Sequence, residues 1–406
     1  LVCTPTSRNL VRVFFLQERM KALGGRELPA KGQVHVVGAG VMGGDIAAWC
    51  AQRGYRVTLQ DRSEEFIRPA LERARAAFEK RSRAPGQAEE TMQRLLADVE
   101  GRGIAGADVV IEAIFENADA KRQLYAKLEP QLKRAAVLAT NTSSLMLEPL
   151  GQGLASPDRL VGLHFFNPVA QMPLVEVIET ATTLPEVRAA ALAFVRGIDK
   201  LPLPCRSSPG FLVNRVLMPY LTEAMLVAQE NVPYAVIDRA AVDFGMPMGP
   251  IELADTVGLD VCLSVGRILA SAFGRPAPEA VEPLVKAGKL GRKSGAGLYE
   301  WRDGKPVKPA VGDARAPDDL ADRLILPLVN EAVAILREAV VADESLIDAG
   351  VIFGTGFAPF RGGPLRYARE RGVAATRRRL EELEQRYGPR FRPDPGWSDF
   401  ERGPVC

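Results

Sequence analysis

Apolar positions come in short, strand-like runs through the first half of the chain and at helical spacing through the second. Residues 5–23 carry helical periodicity. A Gly-Gly and Pro-bearing stretch then predicts a linker, ahead of a strand that begins at Gln33. That strand runs through Val34-His35-Val36-Val37 into Gly38, and helix-compatible residues follow to Ala51. Further strands are predicted at Tyr55–Gln60, Ala107–Ile114 and Ala135–Thr140, with a polar helix near Ala120–Leu132. Strands alternating with helices predict a parallel, doubly wound sheet. Strand character returns at Leu160–Leu163 and at Pro173–Ile178, separated by the turn signal Phe165-Phe166-Asn167-Pro168.

Beyond Cys205 the helical period takes over, and Ser208-Pro209-Gly210 marks a boundary. A weak repeat runs through this region. Arg215-Val-Leu-Met-Pro219 with Glu223-Ala224 recurs, at a constant shift of 108, as Arg323-Leu-Ile-Leu-Pro327 with Glu331-Ala332. Ile237-Asp238, Phe244-Gly245 and Gly249-Pro250 find counterparts in Ile347-Asp348, Phe353-Gly354 and Gly363-Pro364. The expected architecture is an α/β Rossmann-type nucleotide-binding domain followed by two related all-α domains. Its divisions are a helical lead-in and linker over 1–30, the nucleotide domain over 31–206, and helical domains over 207–305 and 318–406.

Composition narrows the function classes. The chain has 406 residues, 47% hydrophobic, enough for several buried cores. Its 52 basic and 50 acidic residues leave a formal charge of +2, which carries no polyanion signature, so nucleic acid is not indicated. Cys3, Cys50, Cys205, Cys262 and Cys406 are scattered without metal or redox spacing, which fits a reducing compartment. No apolar run reaches the roughly 20 residues of a membrane span, and no signal-peptide pattern is evident. Leu1 stands where an initiator methionine is expected, so a processed or excised start is anticipated.

The chemistry begins at Gly38-Ala-Gly40-Val-Met-Gly43, which has G-x-G-x-x-G spacing between a strand and a helix. Gly38 permits the tight turn, Gly40 lets backbone amides approach a pyrophosphate, and Gly43 allows close helix–strand packing. Asp61 ends the second strand about 20 residues on, where an acid accepts hydrogen bonds from the adenosine ribose. A carboxylate there favours NAD over NADP, with Arg62 beside it as the complication. The arginine-rich stretch 62–83 fits either a solvated helix face or contacts to a phosphorylated substrate. Of two histidines, His35 reads as a buried, satisfied imidazole within its strand. His164 closes an apolar strand, and a hairpin-like return would bring it to Glu176, which can orient the ring and balance its cation. Spacing alone leaves this pair open between a catalytic and a structural role.

The strings Gly38–Gly43, Val110-Ile-Glu-Ala-Ile-Phe-Glu-Asn117, Asn141-Thr-Ser-Ser144, His164-Phe-Phe-Asn-Pro168 and Pro209-Gly-Phe-Leu-Val-Asn-Arg215 together resemble the 3-hydroxyacyl-CoA dehydrogenases. Gly245-Met-Pro-Met-Gly-Pro250, Lys293-Ser-Gly-Ala-Gly-Leu-Tyr299 and Phe357-Ala-Pro-Phe-Arg-Gly-Gly-Pro364 extend the likeness over almost the whole chain. The lead-in Thr4-Pro-Thr-Ser-Arg8 with Val13-Phe-Phe15 looks like the linker before the dehydrogenase half of the fused enoyl-CoA hydratase/dehydrogenase of β-oxidation.

The resemblance implies that His164 is the general base and Glu176 its partner, with Ser143 and Asn214 near the reacting group. Strand-end capping and helix capping are the alternatives for the last two. It places Met42, Asp61, Ile114, Phe115, Glu116, Lys121, Ser143 and Asn167 in an NAD pocket, with Glu116 and Lys121 reaching ribose or phosphate oxygens. For Glu116 and Lys121 an exposed charge pair is the alternative. Lys293 is assigned to cofactor and Tyr367 to substrate, against equal surface-charge and core-aromatic readings. The implied reaction is NAD-dependent oxidation of a (3S)-3-hydroxyacyl-CoA, with a hydratase domain and a thiolase partner in the native setting. A cytoplasmic location is expected, with mitochondrial or peroxisomal matrix left open. A noncatalytic nucleotide-binding protein on the same scaffold and a dehydrogenase of free 3-hydroxy acids are the rival readings.

Overall fold

In the computed structural model, which describes residues 4–25, 31–275, 277–310 and 315–403, the apolar runs of the first half assemble into one sheet. A helix, α1 (Pro5–Leu23), leads in. The strands are β1 (Gln33–Val37), β2 (Arg56–Gln60), β3 (Leu95–Ala97), β4 (Val109–Glu112), β5 (Val137–Thr140), β6 (Leu160–Phe165), β7 (Leu174–Glu179) and β8 (Leu201–Arg206). Their spatial order is β3-β2-β1-β4-β5-β6-β7-β8. Between them run α2 (Val41–Gln52), α3 (Glu64–Arg81), α4 (Gln87–Met92), α5 (Ala118–Leu128), α6 (Leu147–Leu150) and α7 (Pro185–Gly197).

β4, β5 and β6 are buried along their whole length, as central strands covered on both faces must be. Parallel pairing holds from β3 through β6, where β7 turns back antiparallel and β8 runs parallel to β7. The short β3 and the proline-bearing β8 escape the sequence pattern. Pro202 and Pro204 lack an N–H to donate, and β8 tolerates them as the last strand of the sheet. The arginine-rich stretch forms α3, which buries Ile67, Ala70, Ala74 and Phe78 as one stripe and leaves Arg68, Arg73, Arg75 and Arg81 exposed.

The chain divides into two compact units, one of residues 17–208 and one of residues from Pro209 onward together with those up to Leu16. The second unit contains α8 (Val213–Gln229), α9 (Tyr234–Phe244), α10 (Pro250–Val257), α11 (Leu259–Phe273), α12 (Glu282–Lys286), a small hairpin β9 (Glu300–Arg302) and β10 (Lys305–Val307), α13 (Leu320–Arg337), α14 (Glu344–Thr355), α15 (Pro364–Arg371), α16 (Val373–Tyr387) and α17 (Trp397–Arg402). The stretches expected as separate helical domains therefore share one compact unit. The lead-in joins it through Arg12, which donates to the Gly362 carbonyl at 2.6 Å and pairs with Asp348 at 2.9 Å. Residues 26–30 of the expected linker, and Cys3 and Cys406, lie outside the described residues. No single described helix is long and apolar enough to cross a membrane.

The repeated residues are used symmetrically. Arg215 of α8 pairs with Glu331 of α13 at 2.5 Å, and Arg323 of α13 pairs with Glu223 of α8 at 2.7 Å. Pro219 and Pro327 interrupt the two helices at matching positions. Asp238 accepts the Ile251 N–H at 2.9 Å, and Asp348 accepts the Leu365 N–H at 2.8 Å, so each carboxylate caps the following helix. One correspondence needs correction. Gly245 closes α9 in the left-handed region, but its equivalent is Gly356, which closes α14 the same way. Gly354, matched by local sequence, is buried inside α14.

Candidate active site

The turn from β1 into α2 is built by what its glycines lack. Gly38 has φ +104°, and a Cβ there would sit 2.5 Å from the Ala113 carbonyl oxygen. At Gly43 a Cβ would overlap the Gly38 carbonyl, so only glycine lets α2 start this close to its strand. At Gly40 a Cβ would meet nothing within 4 Å. That open space faces the first turn of α2, whose N–H groups have no intrahelical acceptor. A pyrophosphate fits this cradle. Met42 is half-buried at the start of α2. Asp61, just past β2, accepts the Ala39 N–H at 2.7 Å and the Arg62 N–H at 2.7 Å, which fixes its carboxylate beside the glycine turn. Arg62 swings outward, 83% exposed, with its guanidinium over the Phe66 ring.

The strand return at the far side of the sheet is real. His164 of β6 stands directly opposite Glu176 of β7 in the antiparallel register, which puts both side chains on one face. The imidazole Nδ1 donates to Glu176 Oε2 at 2.7 Å, with the carboxylate fully buried and the imidazole nearly so. With the proton on Nδ1, a neutral ring carries its lone pair on Nε2, the atom suited to accept a proton. Phe166 packs beside the ring, with centroids 4.5 Å apart. Asn141 accepts the Phe165 N–H at 2.9 Å and ties the end of β6 to the end of β5.

Glu116 organises the neighbouring loops. Its Oε1 accepts the Ser143 N–H at 3.0 Å and the Ser144 hydroxyl at 3.4 Å, with Thr142 also donating to it. Its Oε2 lies 3.3 Å from Lys121 Nζ. The segment after β4 is thereby joined to the segment after β5, where Ser143 sits.

The family description "3-hydroxyacyl-CoA dehydrogenase, NAD binding domain" matches residues 33–208, and the C-terminal domain of the same family matches residues 210–301. The structure of (S)-3-hydroxybutyryl-CoA dehydrogenase from Ralstonia eutropha is 32% identical, with 68% of this chain and 100% of that one covered and a TM-score of 0.62. This chain belongs to the 3-hydroxyacyl-CoA dehydrogenase family. The 3-hydroxybutyryl-CoA dehydrogenase of Escherichia coli K12 is 29% identical with a TM-score of 0.80, covering 92% of this chain and 99% of that one. A protein from Idiomarina loihiensis named fatty acid oxidation complex subunit alpha is 34% identical across 99% of this chain. The chain spans 61% of the length of that relative. As a member of the dehydrogenase family it is an NAD-dependent oxidoreductase.

Other predicted residues fall in differing settings within this dehydrogenase. Ile114 is half-buried after β4, with Phe115 beside it 71% exposed. Asn167 is exposed on the loop joining β6 to β7, ahead of a cis peptide to Pro168. Lys121, expected to reach ribose or phosphate oxygens with an exposed charge pair as the alternative, is not exposed. Only 1% exposed, it donates to Glu112 at 2.7 Å, so its ammonium is held inside the fold. His35 is fully buried and bonded to Thr58 at 2.8 Å and Gln60 at 3.0 Å, and burial pushes its pKa down.

Three predicted residues lie in the helical unit. Asn214 is the second residue of α8. Lys293 donates to both oxygens of Asp260 at 2.6 and 2.7 Å at an exposed position. Tyr367 packs edge-on against Phe244, centroids 5.2 Å apart, and its hydroxyl accepts from Arg371 at 3.0 Å. A cavity of about 730 Å³ within this unit is lined by residues such as Met218, Leu269 and Phe273, and none of the predicted site residues borders it.

Two residues were missed. Glu112 ends β4 at zero exposure and accepts from Ile114 N–H at 2.8 Å and from Lys121, Tyr125 and Thr140, each at 2.7 Å. A lone carboxylate in the apolar run Val109-Val-Ile-Glu-Ala-Ile114 was its visible signal. Lys200, immediately before β8, is buried with no such warning in its neighbours.

Proposed function

We propose that this chain oxidises the 3-hydroxyl of a (3S)-3-hydroxyacyl-CoA to the 3-oxo ester, as the dehydrogenase portion of a fatty-acid oxidation complex. The observation that carries the reading is the buried 2.7 Å bond from His164 Nδ1 to Glu176 in a sheet that also bears the glycine turn. His164 Nε2 withdraws the hydroxyl proton, and Glu176 stabilises the imidazolium that results. In the reverse direction the imidazolium returns the proton. General-base assistance of this kind supplies about 10²- to 10⁴-fold in rate. NAD, when bound, supplies the hydride acceptor. Gly38, Gly40 and Gly43 would cradle its phosphates, and Asp61 would accept from its adenosine ribose. Glu116 holds Ser143 in place, and the family pattern adds Asn167, Asn214, Lys293 and Tyr367 as contacts.

The substrate class follows from the named relatives, which act on 3-hydroxybutyryl-CoA or belong to a fatty acid oxidation complex. A hydratase domain and a thiolase partner fit that setting, where the hydratase product would be this enzyme's substrate. A reducing, cytoplasm-like compartment suits the three described cysteines, all buried free thiols.

The test is NADH formation from short, medium and long 3-hydroxyacyl-CoAs, alongside the free 3-hydroxy acids. Turnover of CoA esters that His164→Ala abolishes supports the reading. Turnover of the free acids alone, or NADH binding with no turnover, would replace it with one of its rivals.

A further inference from the structure

We propose that Lys200 is a positioning residue, whose ammonium pins the loop between the His164 strand and the Glu176 strand and so holds the dyad and Asn167 in working geometry. The proposal rests on the dehydrogenase reading above and adds a residue to it.

The loop from Phe166 to Pro173 joins β6 to β7. Its own hydrogen bonds are few and local, with the Gln171 and Met172 N–H groups both turning back to the Pro168 carbonyl at 2.9 and 3.0 Å. Lys200 closes it from below, donating to the Val169 carbonyl at 2.5 Å and the Met172 carbonyl at 2.7 Å. The next residue, Leu201, starts β8 opposite Leu174, the first residue of β7, and its N–H reaches the Pro173 carbonyl at 2.8 Å. The middle of the loop and its β7 end are thus tied to one short segment.

The setting of this lysine is unusual for a purely structural cation. Buried lysines are ordinarily neutralised by a carboxylate, as Lys121 is by Glu112. Lys200 is 4% exposed, yet its hydrogen bonds go to carbonyl oxygens and its charge faces the Trp49 ring, 4.1 Å from the centroid. Trp49 is itself fixed by donating to the Ile198 carbonyl at 2.8 Å.

The charged groups around the ammonium are Arg53 after α2, Arg81 at the end of α3, and Asp199 adjacent in sequence, which pairs with Arg53 at 3.2 Å. The Cys50 thiol, pushed up to about 12 by burial, stays neutral, and Lys31 is engaged on the Gly197 carbonyl. Burial first, and the two arginines after it, bring Lys200 down to about 8, with Asp199 opposing. As pH rises through that value the ammonium loses its proton and its charge-assisted bonds weaken to those of an amine.

The experiment uses the full chain with NAD and 3-hydroxybutyryl-CoA. Lys200→Met keeps an apolar stem on Trp49 and removes the donors, while Lys200→Arg keeps the charge. For Lys200→Met we expect kcat to fall about tenfold or more through misplacement of the loop, with NADH affinity within about twofold and the melting temperature unchanged. Lys200→Arg should recover part of the loss. The ratio of wild-type to Lys200→Met activity should shrink above about pH 8, where the wild-type lysine is itself neutral. A Lys200→Met enzyme with wild-type kcat overturns the proposal, as does a deficit wholly explained by a smaller folded fraction. His164→Ala run in parallel separates the two ideas. Full turnover in that variant sinks the general-base reading, whereas its loss beside an unimpaired Lys200→Met sinks only the role of the lysine.

Discussion

Glu112 and Glu176 are both withdrawn completely from water in the same eight-stranded sheet, and they are partnered in opposite ways. Glu112 receives four donors, from a backbone N–H, an ammonium, a phenol and a hydroxyl, all from the β4, β5 and α5 region. The phenol is locked as a donor, because burial and the adjacent carboxylate push the Tyr125 pKa far up. Glu176 instead holds an imidazole, a ring that can take up and release a proton at its other nitrogen. A carboxylate facing fixed donors braces the fold, whereas one facing a general base can balance the charge that base takes up. Burial alone does not distinguish scaffold from chemistry; the partner does.

The strongest way to break this contrast is at the ring. His164→Ala should lower kcat by about 10²- to 10⁴-fold, or 3 to 5 kcal/mol of barrier, with NADH binding retained in a fluorescence titration. Near-normal turnover would return the pair to a structural role. Glu112→Ala should do the reverse. It leaves the buried Lys121 ammonium with only the longer Glu116 contact and three other donors without their acceptor, so chemical denaturation should show a loss of about 3 kcal/mol, while kcat of the folded fraction stays within about threefold. If stability holds and kcat collapses, Glu112 is not a brace. Glu176→Gln sharpens the comparison, with an expected kcat deficit of roughly 2 kcal/mol from losing the imidazolium's counter-charge and no change in melting.

Smaller effects test the cofactor end and the other histidine. Asp61 should give NAD at least about a tenfold advantage over NADP in kcat/KM, about 1.4 kcal/mol, and Asp61→Ala should erase it. Equal efficiency in the wild type would remove that role. His35 is held below the ordinary imidazole range by burial, so the unfolded chain binds its proton first as pH falls. Stability should therefore decline with acidification from about pH 6.5 downward, with at most about 1.4 kcal/mol per pH unit from this group. Denaturation curves at pH 8 and pH 5.5 for wild type and His35→Asn check it, and identical pH dependence in both would refute the assignment.

Local signals were readable in the sequence, and long-range ones were not. The glycine turn, Asp61 and the helix that follows β1 all lie between Gln33 and Asp61, where spacing maps directly onto structure. The His164–Glu176 return was visible only as two strand-like runs about a turn, because spacing does not decide whether strands pair. The interior place of Lys121 depends on β4 lying beneath α5, which no helical period reveals. Lys200 is hidden for the same reason, since its partners are carbonyls 28 and 31 residues away. The helical repeat was legible as matching Arg and Glu positions. That each arginine takes the glutamate of the opposite copy appears only in three dimensions. Gly354 was matched to Gly245 because a Phe-Gly pair looks alike wherever it stands, while the backbone needs its left-handed residue at the helix end.

The contact between Arg12 and Asp348 has a consequence for how the molecule is made. In the first helical copy Asp238 is satisfied by Tyr299 and Lys308, from the chain just beyond its own helices. The second copy borrows its cation from 336 positions upstream. A nascent protein leaving the ribosome will have exposed Arg12 long before Asp348 is synthesised. Helix α1 stays unclasped until the second helical copy has been made.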